Sequence, residues 1–376
     1  AIIAESDVEK ALNCLHERFF ESETKQINLF ISGVGNVGKS LINQIEQQKK
    51  YIKSTLNVKL KVIGLSNSKK MVLDKTGINL NDWESVLNNG KKSGPIDFFE
   101  ATKSLNLRNS IFVDITASDM VASSYALYLK QSIAVVACNK IACSSKIENY
   151  LELKQLSHKY NVPFLFETNV GAGLPVIDTL KHLINSGDKI NTVHAVLSGS
   201  LNYIFNNYNK STTFHDVVKQ AQTEGYTEPD PRIDLSGVDV ARKLLILARE
   251  SGEMIDMNGI ENEAFLPEEC MTANSVEAFY ETLKSKEVHF QKFFTSAESN
   301  QCQLKYVSEY KDGVAKVGLK EIPEGHPFYN LEGKDNIVMF YTNRYKDQPM
   351  IIKGAGAGSE VTASGLFADI IRISKN

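Results

Sequence analysis

The sequence lacks the features that would place it in several specialised classes of protein. Its five cysteines are widely scattered and never form a CxxC pair, which argues against a disulfide framework or a cysteine zinc site. The seven histidines show no metal-ligand spacing, so we assign them no chemistry. No apolar run approaches membrane-spanning length, and no secretory signal opens the chain. We therefore expect a soluble, cytoplasmic protein with reduced thiols and no membrane partner.

An excess of charge of either sign is also missing. The 42 basic and 45 acidic residues give a formal net charge of −3, which provides no field to attract nucleic acid. Nucleic acid is therefore not an expected partner. With 376 residues, 42% of them hydrophobic, and no internal repeat, the chain is long enough for two or three domains with separate cores.

A glycine-rich turn follows the first clear strand pattern. The apolar strand 27–31 leads directly into Gly-Val-Gly-Asn-Val-Gly at 33–38, and a helical pattern follows over 39–49. This order is the dinucleotide-binding fingerprint, in which pyrophosphate oxygens meet the free N–H groups of the helix N-terminus. The alternative is a turn that binds no ligand. The cofactor contacts expected from this turn are Gly33, Gly35, Asn36, Val37 and Gly38.

The end of the second strand, predicted over 56–65, indicates which cofactor is bound. An NAD-selective site usually has an acidic residue there, but this chain continues Ser-Asn-Ser-Lys-Lys from Ser66 to Lys70. We predict that Ser66 and Lys69 contact the cofactor and that NADP(H) is preferred, with NAD(H) use possible. The alternative is that the lysines only solubilise a loop.

Two more apolar strands, predicted over 111–116 and 133–138, end in polar residues. Ligands of an open parallel sheet lie beyond the carboxyl ends of its strands. We therefore expect Thr116, Ser118 and Lys140 to lie at the cofactor. Ser118 is also expected to cap the next helix. Strands and helices alternate up to residue 166, and from residue 189 an α+β pattern replaces them.

The stretch from Gly225 to Lys243 concentrates charge between two helical patterns. Its second helix continues with apolar residues, and a lysine beside a buried face has a tunable pKa. Asp239 and Lys243 stand four residues apart, which places them on one helix face. Ser236 is expected to cap this helix, with Asp239 completing an approximate capping box. We interpret the stretch as a functional site; the alternative is a solvated charged loop.

Two further glycine loops stand before predicted helices. The loop 167–175 precedes a helix over 176–186 and is either a second phosphate cradle or a domain hinge. The loop 354–360 follows a short strand and precedes a helix over 361–371. Its alternating glycine and alanine residues permit close approach to a ligand, although a flexible linker would have the same composition.

The chain resembles the homoserine dehydrogenase family over almost its whole length. The stretch from Gly225 to Lys243 matches the family signature, and Asp-Ile-Thr-Ala-Ser at 114–118 and Ala-Cys-Asn-Lys at 137–140 agree with it. The resemblance implies reversible, NAD(P)H-dependent reduction of L-aspartate 4-semialdehyde to L-homoserine, in the pathway to threonine, methionine and isoleucine. It implies that Lys243 is the general acid/base, that Asp239 orients it, and that Lys140 shares in polarising the substrate oxygen or contacts the nicotinamide.

The resemblance also implies contacts for the substrate and for a monovalent cation, Na⁺ or K⁺. Gly358 is expected at the nicotinamide. The expected substrate contacts are Gly225, Glu228, Asp234, Asp239 and Ser200. The expected cation ligands are the Glu167 carboxylate and the backbone carbonyls of Val170, Ala172 and Leu174.

The expected fold is α/β, with a Rossmann-type nucleotide-binding domain over 25–166 and an α+β substrate and dimerisation domain over 167–345. The segment 346–376 is expected to return to the first domain with its helix. Residues 1–24 resemble the end of an aspartokinase regulatory domain, which implies a bifunctional enzyme with an N-terminal kinase; the alternative is a simple N-terminal arm. The family resemblance also implies a homodimer or higher homo-oligomer.

Two other functions remain open. A semialdehyde dehydrogenase with covalent chemistry would need an activated cysteine, for which Cys138 is the candidate, although no histidine base is evident. A non-catalytic nucleotide sensor could share the fold, but it would not need Glu228, Asp239 and Lys243 together.

Overall fold

The structure is a computed structural model that describes residues 2–5, 8, 11, 12, 15 and 24–375. The helix predicted over 8–20 falls mostly outside these residues, and so does most of the segment 1–24. The chain forms two compact units. The first contains the described part of Ala1–Cys143, Glu148–Thr168 and the described part of Gly358–Asn376, and the second contains Ser144–Ile147 and Asn169–Ala357.

Thirteen strands are found in the described residues. They are β1 Lys25–Ser32, β2 Val58–Ser66, β3 Lys70–Leu73, β4 Lys91–Lys92, β5 Ser110–Asp114, β6 Ala134–Ala137, β7 Phe164–Leu165, β8 Ile190–Val196, β9 Ile260–Asn262, β10 Cys302–Lys311, β11 Val314–Pro323, β12 Asp335–Thr342 and β13 Met350–Ala355.

Sixteen α-helices are found within residues 24–375. They are α1 Asn36–Leu56, α2 Trp83–Asn88, α3 Pro95–Ser104, α4 Asp119–Ala122, α5 Tyr125–Lys130, α6 Ile141–Ser144, α7 Ile147–Lys159, α8 Val176–Asn185, α9 Gly199–Asn207, α10 Phe214–Thr223, α11 Arg232–Leu235, α12 Val238–Glu250, α13 Glu268–Met271, α14 Val276–Ser285, α15 Glu287–Ser299 and α16 Ser359–Ser374.

The first unit is built on a seven-stranded sheet with the order β4-β3-β2-β1-β5-β6-β7. Strands β1, β2, β5, β6 and β7 are parallel, and β3 and β4 continue the sheet antiparallel at one edge. Every residue of β5 is buried, as expected for a parallel strand covered on both faces. The sheet order reverses direction at β1, where doubly wound sheets bind their ligands. The predicted α/β fold with a nucleotide-binding sheet is confirmed.

Helix α1 is longer than its predicted span of 39–49, and the strand predicted over 56–65 begins only at Val58. Ile45 and Ile52 are both buried, so the apolar face continues past the lysine pair at which the prediction stopped. Asn57, in the left-handed region with φ 53°, ends the helix. Lys49 and Lys50, which interrupt the apolar pattern, therefore lie on the solvent-exposed face of a longer helix.

The C-terminal helix α16 packs within the first unit, as predicted. Gln44 of α1 donates to the Glu360 carbonyl at 3.0 Å, and the buried Asp369 carboxylate accepts from the Glu167 backbone N–H at 3.1 Å. These bonds join segments of the first unit that are separated by more than 200 positions along the chain.

The second unit has a six-stranded mixed sheet with the order β13-β12-β8-β10-β11-β9. All its neighbouring strands are antiparallel except β9 and β11, which pair in parallel. A core cluster on this sheet includes Val196, Val307 and Ile337. Helix α12 is buried over Leu244–Glu250, which holds its first turns in a fixed position.

None of the described helices is both long and apolar enough to span a membrane.

Candidate active site

The glycine turn, the serine-rich turn after β2 and the polar ends of β5 meet at one cavity of the first unit. Its volume is about 630 Å³. The cavity is lined by Ser32, Gly33, Val34, Gly35, Ser66, Asn67, Ser68, Lys69, Ser93, Gly94, Pro95, Thr116, Ser118, Met120 and Val121. The structure thus brings together in one place most of the residues predicted to bind the cofactor.

The three glycines of the fingerprint are required for different reasons. A Cβ on Gly33 would lie 2.7 Å from the Ile115 carbonyl oxygen, and one on Gly38 would lie 2.3 Å from the Gly33 oxygen. A Cβ on Gly35 would meet no protein atom within 4 Å, so packing within the protein does not explain this glycine. Gly35 is also the N-cap of α1 and forms no side-chain cap, which leaves N–H groups for a phosphate.

The turn after β2 is held in a defined conformation by Asn67. Its side-chain oxygen accepts from the backbone N–H groups of Lys69 at 2.9 Å and Lys70 at 2.8 Å. The Ser66 hydroxyl is buried and donates to Ser32 at 3.1 Å, whereas Lys69 is exposed at the cavity wall. No acidic residue lines this cavity, so nothing in its wall repels a 2′-phosphate.

The N-terminus of α3 also lines the cavity, at Ser93, Gly94 and Pro95, and sequence reasoning missed it. A signal was present, because Pro95 stands at the first helical position and Asp97 closes a capping box with the Gly94 N–H at 2.8 Å. The helix itself is predictable from this signal. Its position beside the turn after β2 is not, because it rests on a contact between separate segments, in which the Ser93 N–H donates to the Lys69 carbonyl at 3.1 Å.

A buried carboxylate, Asp114, fixes the loops that follow β5 and β6. It accepts from the Tyr125 hydroxyl at 2.6 Å, from the Thr116 N–H at 2.7 Å and from the Asn139 amide at 3.0 Å. Asn139 also donates to the Ser118 carbonyl at 3.0 Å. Burial raises the pKa of Asp114 against the lowering effect of these bonds. Lys140 follows Asn139 directly and is half-buried, and Ser118 caps α4 as predicted.

Cys138 does not have the properties of a catalytic nucleophile. Burial raises the pKa of its thiol to about 12, and Asp114 acts in the same direction. Catalytic cysteines have a lowered pKa, because the thiolate is the reactive form. This finding argues against the covalent semialdehyde dehydrogenase alternative.

In the second unit, Lys243 lies on the first turns of α12. Its Nζ is 2.9 Å from Asp239 Oδ2 and donates to the Leu197 carbonyl at 2.7 Å, and its side chain is only 12% exposed. The two contacts use two of the three N–H donors of the ammonium group. No other acceptor among the described residues binds this ammonium. The expected pairing of Asp239 with Lys243 is present.

The loop before this helix is organised by Asp234. Its carboxylate accepts from the Glu228 backbone N–H at 2.8 Å and from the Ser200 hydroxyl at 2.9 Å. Burial raises the pKa of Asp234, while these two hydrogen bonds lower it. The Glu228 side chain and Gly225 are exposed, so both can be reached by a small molecule. Asp234 and Ser200, by contrast, already bind each other.

The predicted cap of α12 is wrong. The N-cap is Gly237 at φ 71°, and Ser236 instead ends the short helix α11 and donates to the Ile233 carbonyl at 2.8 Å. A Cβ on Gly237 would lie 2.0 Å from the Tyr306 hydroxyl oxygen, so no larger residue fits. The capping-box pattern could not show this, because Tyr306 lies on β10, far along the chain.

The expected cation ligands divide between the two units. Glu167 is buried in a 3₁₀ turn of the first unit, and Val170, Ala172 and Leu174 belong to the second. Ala172 has φ 54°, an unfavourable region for a residue with a Cβ, directly after Gly171 at φ 79°. Such a turn is compatible with ligation of a hard cation through backbone oxygens. Gly358 is exposed, with φ 124°, immediately before α16.

Comparisons with known proteins find similarity over almost the whole chain. The sequence model of a family described as "Homoserine dehydrogenase" matches residues 175–371, and that of "Homoserine dehydrogenase, NAD binding domain" matches residues 33–167. The chain is 41% identical over 378 residues to the chloroplastic bifunctional aspartokinase/homoserine dehydrogenase 1 of Zea mays, covering 99% of this chain and 41% of that protein. It therefore spans less than half the length of this relative.

Two further relatives are similar over nearly their whole length. The homoserine dehydrogenase of Schizosaccharomyces pombe is 35% identical over 357 residues, which cover 92% of this chain and 95% of that protein. The solved structure of a hyperthermophilic archaeal homoserine dehydrogenase in complex with NADPH has a TM-score of 0.71 and 25% identity, covering 93% of this chain and 97% of that one.

Proposed function

Because the chain belongs to the homoserine dehydrogenase family, we propose that it catalyses the reversible reduction of L-aspartate 4-semialdehyde to L-homoserine with NAD(P)H. One observation carries the proposal. The Lys243 ammonium is held by Asp239 at 2.9 Å and by the Leu197 carbonyl at 2.7 Å, with one N–H donor left for a substrate oxygen. Such a donor is what the aldehyde oxygen requires as it gains negative charge.

When bound, the nicotinamide supplies or accepts the hydride. In homoserine oxidation, neutral Lys243 Nζ takes the proton from the substrate hydroxyl oxygen while the carbon that bears this hydroxyl gives up a hydride, and Asp239 stabilises the ammonium that forms. In reduction, the ammonium returns this proton to the aldehyde oxygen. Lys140, in the cofactor-binding unit, is proposed to polarise the oxygen or to contact the nicotinamide amide.

The substrate's amino-acid end requires groups of opposite charge. We propose that the exposed Glu228 carboxylate binds the substrate ammonium and that Gly225 contributes a backbone contact. Asp234 and Ser200 bind each other at 2.9 Å. We propose that they shape the substrate site around Glu228 and Gly225 and also contact the substrate. Electrostatic contacts of this kind orient the substrate rather than drive the hydride step.

The direct test is nicotinamide absorbance with L-homoserine and, separately, NADP⁺ or NAD⁺. Homoserine-dependent reduction of the nucleotide is expected. Calorimetry with NADP⁺ alone serves as the control for a competent first unit. Nucleotide binding without any turnover in either direction would support the nucleotide sensor and contradict the proposed enzyme.

We also propose that NADP(H) is preferred over NAD(H). Three features of the cavity in the first unit support this: the exposed Lys69, the serine-rich turn and the lack of an acidic residue in the lining. The N-terminus of α3 adds a partial positive charge to the same wall.

A monovalent cation, Na⁺ or K⁺, is proposed as a second cofactor, held by Glu167 and the carbonyls of Val170, Ala172 and Leu174. The resemblance to the homoserine dehydrogenase family, which implies these four ligands, supports this assignment. Replacing KCl with tetramethylammonium chloride at equal ionic strength should lower both turnover and the unfolding temperature. Unchanged values of both would contradict a bound cation, since binding to the folded state must stabilise it.

We further propose that the native polypeptide carries an N-terminal aspartokinase. The bifunctional relative from Zea mays covers 99% of this chain, whereas the monofunctional one from Schizosaccharomyces pombe covers 92%, a difference similar in length to residues 1–24. An antibody against this chain should detect a native polypeptide at least twice as large as the 41.8 kDa chain. A single native species of 41.8 kDa would contradict the proposal.

For assembly and location, we propose a homodimer formed through the second unit, in the cytoplasm. Part of one face of the second sheet, around His194, Glu309 and Tyr341, is accessible to solvent in the chain. Light scattering should give twice the chain mass, and Glu309→Arg should shift this mass towards that of the monomer. A monomeric mass for the wild type would contradict the proposed dimer.

Cell fractionation should recover the activity with cytoplasmic markers. Recovery of the activity with organelles would contradict the proposed cytoplasmic location.

A further inference from the structure

Asn336, the second residue of β12, is completely buried beside the Lys243 site and was not identified from the sequence. Its side-chain Nδ2 donates to the Leu197 carbonyl at 3.3 Å. This is the oxygen that accepts from Lys243 Nζ at 2.7 Å. One carbonyl, just after the end of β8, is therefore shared by an ammonium and an amide.

The hydrogen bonds of Asn336 are incomplete. Its Oδ1 is buried and has no hydrogen-bond partner among the described residues. Exchanging the amide nitrogen and oxygen would place Oδ1 against the Leu197 oxygen, so the bond to Leu197 determines the orientation. An unsatisfied buried acceptor costs stability, and an apolar residue of similar size would avoid that cost. Among the described residues, the bond to the Leu197 carbonyl is the only hydrogen bond of this side chain, so it is the contact that accounts for an amide here.

The amide is also held in place by its surroundings. Asn336 pairs with Gly354 in the ladder between β12 and β13. A Cβ on Gly356 would lie 1.9 Å from Asn336 Cγ, so the backbone of the glycine loop contacts the amide directly. The glycine loop therefore packs against the Asn336 side chain and restrains it.

We propose that Asn336 is a positioning residue for Lys243: it holds the Leu197 carbonyl where Lys243 donates to it and so fixes the direction of the remaining N–H of Lys243. The inference rests on the proposed function of Lys243 as acid/base. With Asp239 on one side and the Leu197 carbonyl on the other, the third N–H has one direction left. Without Asn336 the carbonyl can rotate, and the ammonium rotates with it.

Two substitutions at Asn336 test this role. Asn336→Ala should lower kcat for homoserine oxidation about tenfold, because small misplacements of a catalytic group are costly, and should change KM less than about twofold. Asn336→Asp keeps the size of the side chain but replaces the donor to the Leu197 carbonyl with a carboxylate near Lys243, which favours the charged amine. The pH at which homoserine oxidation reaches half its maximum should therefore rise by about one unit in this variant.

The control is Asn202→Ala. Asn202 is another completely buried asparagine of the second unit, and its amide donates to the carbonyls of Leu331 and Gly333 at 3.3 Å and 3.0 Å. This variant should lose thermal stability and keep the wild-type pH profile. Unfolding temperatures establish that each variant is folded at the assay temperature.

Lys243→Ala separates the two proposals. If Lys243→Ala is inactive while folded Asn336→Ala and Asn336→Asp keep the wild-type kcat and pH profile, the positioning role is overturned and the proposed function stands. Wild-type turnover in Lys243→Ala would overturn the role of Lys243, and the positioning role with it.

Discussion

Lys243 is the residue on which the proposed chemistry depends most. Lys243→Ala should lower kcat by about 10²–10⁴-fold, the usual effect of losing a positioned acid/base. Steady-state kinetics of homoserine oxidation, with unfolding temperature as the check on folding, provide the measurement. Lys140→Ala is the informative partner variant. If Lys243→Ala turns over at nearly the wild-type rate and Lys140→Ala does not, the proton transfer belongs to Lys140.

Lys305 is the basis of a second prediction, which concerns how the free energy of unfolding depends on pH. It is 1% exposed, and the groups that bind its ammonium among the described residues are all neutral: the Asn202 and Asn206 side-chain oxygens and the Leu331 carbonyl. Burial lowers the pKa of Lys305 from 10.5 to about 8, and Lys353 acts in the same direction. Between pH 8 and pH 10.5, Lys305 therefore carries a proton in the unfolded chain but not in the folded chain.

The sign of the effect follows from this difference in bound protons. The contribution of Lys305 to the free energy of unfolding should be lowest below pH 8 and rise until pH 10.5, by at most about 3 kcal/mol. Urea unfolding of Lys305→Met across this range should show a smaller rise with pH than the wild type. Lys320, the partly exposed neighbour of Lys305 in the β10–β11 ladder, provides the matched control. Equal slopes for the wild type and Lys305→Met would contradict the prediction.

Which of these residues the sequence reveals depends on how far away their partners lie. Asp239 and Lys243 are four positions apart on one helix, so their pairing follows from helix geometry alone. Lys305 binds a side chain 103 positions away, and Asn336 binds a carbonyl 139 positions away. Neither contact leaves a local pattern, so neither residue could be identified before the sheet order was known.

At the scale of elements, the turn after β2 is predicted to select the cofactor. Lys69→Glu should reduce kcat/KM for NADPH relative to NADH by about tenfold or more, since about 1.4 kcal/mol of lost attraction has that effect. Initial rates with both cofactors give the ratio. Lys75→Glu, an exposed lysine that does not line the cavity, is the control and should leave the ratio unchanged. An unchanged ratio in Lys69→Glu would remove this lysine from the cofactor site.

Helices and strands could be predicted where their signal, an apolar periodicity or a glycine spacing, lies within one short stretch of sequence. The strand, turn and helix of the fingerprint are present. The errors lie at boundaries. Helix α1 continues past its lysine pair because Ile52 is buried, and Gly237 replaces Ser236 as a cap because of Tyr306. In both cases a tertiary contact decides where the element begins or ends.

At the scale of the whole molecule, the two compact units imply that a ligand bound to one unit stabilises that unit first against unfolding and hydrogen exchange. NADP⁺ at about 100 times its dissociation constant should add about 2.7 kcal/mol to the stability of the unit that binds it. Hydrogen exchange should slow at the glycine turn, at Ser66–Lys69 and at the N-terminus of α3. Protection confined to the second unit would contradict the assignment of the cavity.

The discontinuity of the first unit has a consequence for how the protein is made. Its chain leaves the unit at Thr168 and returns only at Gly358, and α16 then packs on α1. During synthesis, the ribosome releases 189 residues of the second unit before the helix that covers α1 is available. A nascent chain stalled before Gly358 therefore exposes the apolar groove of α1, including Ile52 and Leu56, and becomes a target for chaperones. Completion of the cofactor-binding unit must therefore wait until α16 has been translated.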